Sequence, residues 1–379
     1  MRYRPLAGIV AAALSACAPA PPTAEAPTPM PRPTAAWPRS VEEFLAHPRG
    51  FYVVVDIERN EVRFMDSTTV LWSTPAGTGT GFRLETDRGR WEFSTPTGLF
   101  FVQSKELDPV WIVPDWYFVK NGKPVPSEDS PLRRQPGALG AAAIYLGHEI
   151  AIHGTDKPEL LGQRVSHGCI RVADPFAVRL FHNVQIGTPV LIVGRAPPPD
   201  TSVPLPTNPG RTRRRPPNPW ARATTRSLLA ALDRGLAADT GSAWVAPAAE
   251  LVRRAIRDDS AALRGLLRRA GQGARPTTRR EFETFLADLY ARGSWRTVVS
   301  LARIEPEVRQ RAAEAIVHAT LDLYPGDPQD PTAPWPTRRL LPTRLGPDGR
   351  RGWQALADAE ARWRAAHGGP RPAWGGGTR

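Results

Sequence analysis

The stretch "FYVVVDIERNEVRFMD", Phe51 to Asp66, holds two runs rich in β-branched and aromatic residues, Tyr52–Ile57 and Glu61–Met65, on either side of Glu58-Arg59-Asn60. Such runs suit a pleated, half-buried surface, and the short polar joint between them predicts a β-hairpin. Working outward, "VLWSTPAG", "RWEFS", "GLFFVQSK", "WIVP", "AAIYLG", "EIAIHG" and "TPVLIVG" repeat the pattern, divided by Gly, Pro and Asp. Together they predict a β-rich domain over residues 49–195. One interruption, "DPFAVRLFHN" from Asp174 to Asn183, reads as a short helix with Asp174 as N-cap and Pro175 at its first position.

Beyond this block the character of the chain changes on both sides. Residues 196–222 are rich in Pro and Arg and read as a linker. From 223 to 369 apolar residues recur at spacings of three and four, as in "TTRSLLAALDRGL", "PAAELVRRAIRDDSAALRGLLRRAG", "TRREFETFLADLYARG", "EPEVRQRAAEAIVHATLDLY" and "GWQALADAEARWRAAHG". That period predicts a separate, small, basic all-α domain, with 370–379 as a disordered tail. On the N-terminal side, residues 18–48 are rich in Pro, Ala and Thr and read as an extended tether. The fold class expected is therefore mainly β, followed by a helical domain. No internal repeat stands out.

The first 17 residues carry Arg2 and Arg4, an apolar run from Leu6 to Ala13, and then Leu14-Ser15-Ala16-Cys17. The run is too short for a permanent membrane span and reads as a signal peptide. Its last four residues resemble the lipobox of bacterial lipoproteins, which implies lipidation of Cys17. Ala18 after it, by resemblance to enterobacterial sorting, implies an outer-membrane anchor facing the periplasm. The alternative is an ordinary secretory signal cut nearby. A formal charge of +13 favours anionic partners, and without a nucleic-acid motif an envelope setting is preferred over nucleic acid.

The chain has 2 cysteines. If Cys17 carries lipid, Cys169 has no partner, and an unpaired thiol outside the cytoplasm calls for a reason. Its setting, "IHGTDKPELLGQRVSHGCIRV" from Ile152 to Val172, supplies one. A thiol titrates near about 8.5 and needs a neighbouring base or donor to react as thiolate. His153, ending a strand-like run, is the candidate base, with His167 as the alternative. Gly168 permits a tight turn, so that the amides of Gly168 and Cys169 can face a developing oxyanion. This combination points to acyl transfer through a thioester.

The block "IHGT…RVSHGCIRV" closely resembles the signature of YkuD-type L,D-transpeptidases. Other pieces agree in order: "YVVVDIERNEVRFMD" with the family's opening hairpin, "STPTGLF" with its Thr-Pro-Thr-Gly element, "WIVPDWYF" with its Trp-Pro segment and "IGTPVLIV" with its closing strand. The resemblance implies a β-sandwich catalytic domain with Cys169 as nucleophile and His153 as general base and later acid. Gly154 then lies where the family offers a carbonyl to orient that histidine. His167 and Ser166 shape the site, and Arg171 positions the motif or meets a substrate carboxylate. The implied substrates are peptidoglycan stem peptides. The cysteine attacks the carbonyl of the L-centre of a diamino acid, expels D-alanine, and passes the acyl group to an amine: a second stem, the lysine of a wall-linked lipoprotein or a free D-amino acid.

Three other readings compete. The same fold hydrolyses if water takes the acceptor's place, giving an L,D-carboxypeptidase or an enzyme that detaches wall-linked protein. A noncatalytic, peptidoglycan-binding lipoprotein would need no reactive thiol. Zinc on His153, His167 and Cys169 lacks a second cysteine or a His-Glu-x-x-His helix, so neither metal nor cofactor is expected. His47, His148, His182, His318 and His367 read as surface or core residues. Trp111, Trp116 and Tyr145 read either as core or as the lining of a substrate cleft.

Overall fold

The computed structural model describes residues 37–208, 218–238, 242–326 and 333–367. The signal peptide with Cys17, most of the 18–48 tether, the centre of the 196–222 linker and the 370–379 tail lie outside the described residues.

The expected hairpin is present as β1 (Phe51–Asp56) and β2 (Glu61–Asp66), continued by β3 (Thr69–Pro75). Then come β4 (Thr78–Gly79), β5 (Arg83–Thr86), β6 (Gly89–Glu92), β7 (Gly98–Phe101), β8 (Ser104–Leu107) and β9 (Val110–Ile112). After β10 (Arg134–Pro136), the strands β11 (Ala142–Gly147), β12 (Ile150–His153), β13 (Arg164–Ser166) and β14 (Ile170–Arg171) build the motif region, and β15 (Pro189–Val193) closes the domain. Two sheets dominate. One has the order β3-β2-β1-β15-β7, the other β14-β12-β11-β8. β1 and β15 pair in parallel, so the first and last strands of the domain lie side by side in the first sheet.

Strand β1 is buried on both faces, which accounts for its nearly unbroken apolar run. Phe51, Val53 and Val55 join Phe64, Ile144, Ile152 and Leu180 in the main core. Tyr52 and Val54 face the other way, against Phe44. Phe44 belongs to α1 (Val41–Ala46), capped by Ser40, whose hydroxyl accepts from the Glu43 amide at 3.1 Å. The tether expected to run to residue 48 therefore gives way to packed structure earlier: Trp37 is 1% exposed and Phe44 closes one face of the sheet. Burying such an aromatic ring is worth about 2–3 kcal/mol, which an extended tether would forgo.

Two further helices complete this half, α2 (Asp115–Lys120) and α3 (Asp174–Asn183). Asp174 does not cap α3 as expected. It is the first helical residue, and its Oδ1 accepts from the Ala141 amide at 3.0 Å, fastening α3 to the start of β11.

The helical region comprises α4 (Thr225–Ala237), α5 (Val245–Ile256), α6 (Ser260–Leu267), α7 (Pro276–Arg292), α8 (Ser294–Ala302), α9 (Pro306–Asp322) and α10 (Pro347–Ala366). The pattern that runs unbroken from Pro247 to Gly271 divides because Asp259 turns back to accept from the amides of Ala261 and Ala262, starting a new helix. The region has its own core around Trp244, Phe282, Phe285 and Leu286. No helix among the described residues is long and apolar enough to cross a membrane.

The two regions meet along α3 and α7. Glu281, Thr284 and Asp288 recur at three and four residues on α7, opposite Arg179, His182 and Asn183 on α3. Arg179 forks onto Glu281 at 2.7 and 2.6 Å, His182 Nδ1 lies 2.8 Å from Asp288, and Lys105 of β8 donates to Asp288 at 2.7 Å. All five of these charged or ionisable groups are buried or nearly so, and each has a partner.

Candidate active site

Strand register places the motif residues. In the second sheet Arg171, His153, Ala143 and Glu106 form one cross-strand row, and Ile170, Ile152, Ile144 and Lys105 form the next. Side chains alternate along a strand, so these two rows face opposite ways. The isoleucines enter the core, and Lys105 reaches the helical region. One residue further, Ala151, Tyr145 and Ser104 return to the first face, and Cys169, two residues before Arg171, joins them. This face floors a cleft of about 840 Å³ lined by Cys169, His153, Arg171, Tyr145 and Ser104. Ala143 and Ala151 sit between the larger side chains and leave room above them.

Cys169 is partly buried, with Sγ 3.4 Å from the Glu149 carbonyl. Burial pushes its thiol up, opposed by a hydrogen bond from the Ala151 amide and by the Arg171 charge. The protein therefore holds this thiol above its ordinary value, with burial the first cause.

His153 is buried, and its Nδ1 lies 2.7 Å from the Gly154 carbonyl. A carbonyl only accepts, so Nδ1 carries the hydrogen and Nε2 keeps its lone pair. Burial, then the Arg171 charge, holds the imidazole down to about 4. It is a neutral base over the ordinary pH range. Gly154 has no room for a side chain, since a Cβ would collide with Asp174 Oδ1.

His167 is placed differently. Its ring stacks on Trp116 at 4.0 Å and meets Phe93 edge-on at 4.8 Å, while Nε2 lies 2.9 Å from Lys120 Nζ. Burial first, then Lys120 and Arg171, hold it down to about 2. With its Nε2 lone pair taken by the ammonium, His167 is a wall of the cleft.

The turn between these histidines and the thiol is tightly specified. Gly168 has φ +121°, a region that side chains avoid. Its amide donates to Ser166 Oγ at 3.1 Å, and that hydroxyl donates to the Cys169 carbonyl at 2.5 Å. The Gly168 amide is therefore engaged, which leaves the Cys169 amide as the motif's candidate oxyanion donor. Thr95, inside the "STPTGLF" element, donates to the Gly168 carbonyl at 2.8 Å.

Arg171, at the floor of the cleft, extends its guanidinium toward the segment that follows the domain. Its Nη1 and Nη2 donate to Thr207 Oγ1 and O at 2.7 and 2.6 Å, and burial holds the guanidinium down to about 10. Lys120 donates to the Pro206 carbonyl at 2.6 Å, and Lys157 to that of Asn208 at 3.1 Å. The supposed linker is thus strapped across the back of the site from Pro206 to Asn208. Thr207 had no signal in the sequence. Lys120 sits just beyond the quoted Trp-Pro segment. Trp111 and Tyr145 do line the cleft, and Trp116 both lines it and packs.

No group of three or more His, Cys, Asp or Glu side chains among the described residues is placed to hold a metal ion.

The cleft thus brings together a partly buried thiol, a neutral histidine pinned by a carbonyl and a glycine turn beside the thiol. Residues 50–192 match the family model of YkuD, the L,D-transpeptidase catalytic domain. Similar proteins include "Probable L,D-transpeptidase ErfK/SrfK" of Salmonella typhimurium, 36% identical over 129 residues, covering 33% of this chain and 41% of that protein. "Probable L,D-transpeptidase YbiS" of Escherichia coli is 32% identical over 127 residues, covering 32% of this chain and 41% of that protein. The chain thus spans under half the length of these relatives. The solved catalytic domain of the E. faecium L,D-transpeptidase is 24% identical, covers 38% of this chain and 96% of its own, and has a TM-score of 0.27. All of these matches leave most of the chain, the helical region included, uncovered.

Proposed function

We propose that the protein is an L,D-transpeptidase acting on peptidoglycan stem peptides through a Cys169 thioester. The observation that carries this reading is the neutral His153, fixed by Gly154 with Nε2 unprotonated, on the same sheet face as the thiol. His153 takes the thiol proton as Sγ attacks the carbonyl of the donor's L-centre. The oxyanion meets the Cys169 amide. Collapse of the adduct expels D-alanine, whose nitrogen receives the proton from His153. An acceptor amine then attacks the thioester, gives its proton to His153, and releases the thiol. Ser166 and Gly168 hold the turn, His167 walls the cleft, and Arg171 positions the motif by gripping Thr207. The acceptor is a second stem or the lysine of a wall-linked lipoprotein. Water in its place gives the hydrolytic outcome.

The deciding experiment exposes the protein to a carbapenem, a strained acyl donor, and reads intact mass. A stoichiometric adduct on the Cys169 peptide, absent from Cys169→Ala and insensitive to EDTA, is expected. No adduct together with tight binding to sacculi would favour the noncatalytic wall-binding lipoprotein. Product analysis with and without an amine acceptor separates transfer from hydrolysis.

The same proposal places the protein in the cell envelope as a periplasmic lipoprotein anchored in the outer membrane through Cys17, supported by the lipobox-like Leu14-Ser15-Ala16-Cys17. Cys17→Ala should move it from the membrane to the soluble fraction and abolish labelling by palmitate; unchanged partitioning would refute the anchor.

A further inference from the structure

The turn from β11 into β12 runs Gly147-His148-Glu149 with φ of +86°, +50° and +60°. Such two-residue turns normally carry Asn and Gly, and a non-glycine residue held there costs on the order of 1–3 kcal/mol. His148 and Glu149 occupy it beside the nucleophile. The Glu149 carbonyl lies 3.4 Å from Cys169 Sγ, and the carboxylate is close enough to disfavour the thiolate.

Apart from Glu128 and from His148, which is exposed in the same turn, the other ionisable groups lining the cleft are already engaged. Arg133 donates to Asp115 at 2.6 Å and to the carbonyls of Val113, Pro126 and Ser127. Glu92 is paired with Arg90 at 2.8 Å, and Arg171 with Thr207. His153 and His167 are held neutral. Glu128 and Glu149 are left without a side-chain partner among the described residues, and only Glu149 adjoins the thiol. Of the carboxylates lining the cleft, Glu149 is therefore the uncommitted one at the thiol.

We propose that the Glu149 carboxylate receives the side-chain ammonium of the donor's diamino acid, and that docking this cation assists ionisation of Cys169. This rests on the transpeptidase reading above. The donor, not the acceptor, is the partner, for two reasons. A group held at Glu149 adjoins the thiol before the thioester exists. The acceptor must also arrive as a neutral amine, which a carboxylate that stabilises cations would disfavour. With the ammonium in place the carboxylate's repulsion of the thiolate is cancelled. The remaining groups around Sγ are then His153 and the Ala151 amide of β12, Arg171 of β14 and Tyr145 of β11, the last pushed up to about 12 by burial and then by Glu106.

The test compares a synthetic donor tetrapeptide bearing a free side-chain amine with its N-acetylated twin, on the full chain and on Glu149→Gln. In the unmodified protein acetylation should lower kcat/KM for acylation by about two- to fivefold, the factor expected of one exposed ion pair. Glu149→Gln should lose most of that discrimination. Neutral iodoacetamide should also alkylate Cys169 a few-fold faster in the variant at pH 7. Glu149→Asp, which keeps the charge in the same turn, should retain part of the discrimination. Equal discrimination by the unmodified protein and Glu149→Gln, or slower alkylation in the variant, would overturn the proposal. If the unmodified protein forms no carbapenem adduct, the underlying enzyme reading has failed and takes this one with it; an adduct with unchanged discrimination sinks this one alone.

Discussion

The seam between α3 and α7 and the cleft above Cys169 both hold buried ionisable groups, and they treat them in opposite ways. In the seam every charge meets another: Arg179 with Glu281, and Asp288 with Lys105 and His182. In the cleft His153 and His167 are kept neutral, Arg171 is turned onto Thr207, and Glu149 stands exposed at the rim without a side-chain partner among the described residues. A buried pair costs much to break and returns little net stability over an apolar contact, so its role is to fix which surfaces meet. An exposed carboxylate beside a thiol has no such structural role, and the proposal above seeks its partner in the substrate.

The comparison can be broken at several points. The largest effect belongs to Cys169→Ala, which should reduce acylation by at least about 10³-fold while leaving the thermal midpoint nearly unchanged, since a small side chain replaces a small one. Turnover near that of the unmodified protein would remove the nucleophile assignment. In the seam, Asp288→Ala strands Lys105 in the interior and should cost about 3–5 kcal/mol in urea unfolding. Glu149→Gln should move the same measurement by less than about 0.5 kcal/mol. A reversal of that ranking would erase the distinction drawn between the two regions.

His153→Gln should slow single-turnover acylation by about 10²–10⁴-fold, the usual worth of a general base. His167→Gln, altering a wall, should slow it by less than about tenfold; equal impairment would withdraw the assignment between them. A smaller effect is shared by both regions. His182 in the seam and His153 and His167 in the cleft are all held below the ordinary imidazole value, with burial the first cause. Below about pH 6.5 the unfolded chain takes up protons that the folded one refuses, so this contribution is complete above that pH and is lost as pH falls. The urea midpoint should therefore decline from pH 7 to pH 5, and His182→Gln should flatten part of the slope. The smallest change is expected of Lys120→Met. It should raise the His167 titration seen by NMR while leaving it below the ordinary value, because burial, the larger cause, remains.

The β-strands of the catalytic domain and the motif itself were legible because their signals are local. A β-branched run, a glycine before a cysteine and a histidine at a strand end all announce themselves within a few residues. The polar stripe of α7 was not. Glu281, Thr284 and Asp288 look like a solvated helix face, and only the matching spacing of Arg179, His182 and Asn183, a hundred residues earlier, shows that the face is covered. Thr207 was read as linker for the same reason: proline-rich composition says nothing about a guanidinium waiting for a carbonyl. The engagement of the Gly168 amide by Ser166 depends on a turn geometry that residue names alone do not fix.

The α3–α7 seam also imposes an order on synthesis. Strand β1 cannot complete its sheet until β15 has been made, and α3 stays without its partners until α7 follows. While the nascent chain is between those points, Arg179, His182 and Lys105 must remain hydrated, and the catalytic half exposes the surface that α7 later covers. A fragment stopped at residue 208 should accordingly be cut by protease near α3 far faster than the full chain, whereas equal resistance would show that the first half matures unaided. The helices are then a late clamp, and the enzyme half reaches its protected form only when its own C-terminal neighbour has emerged.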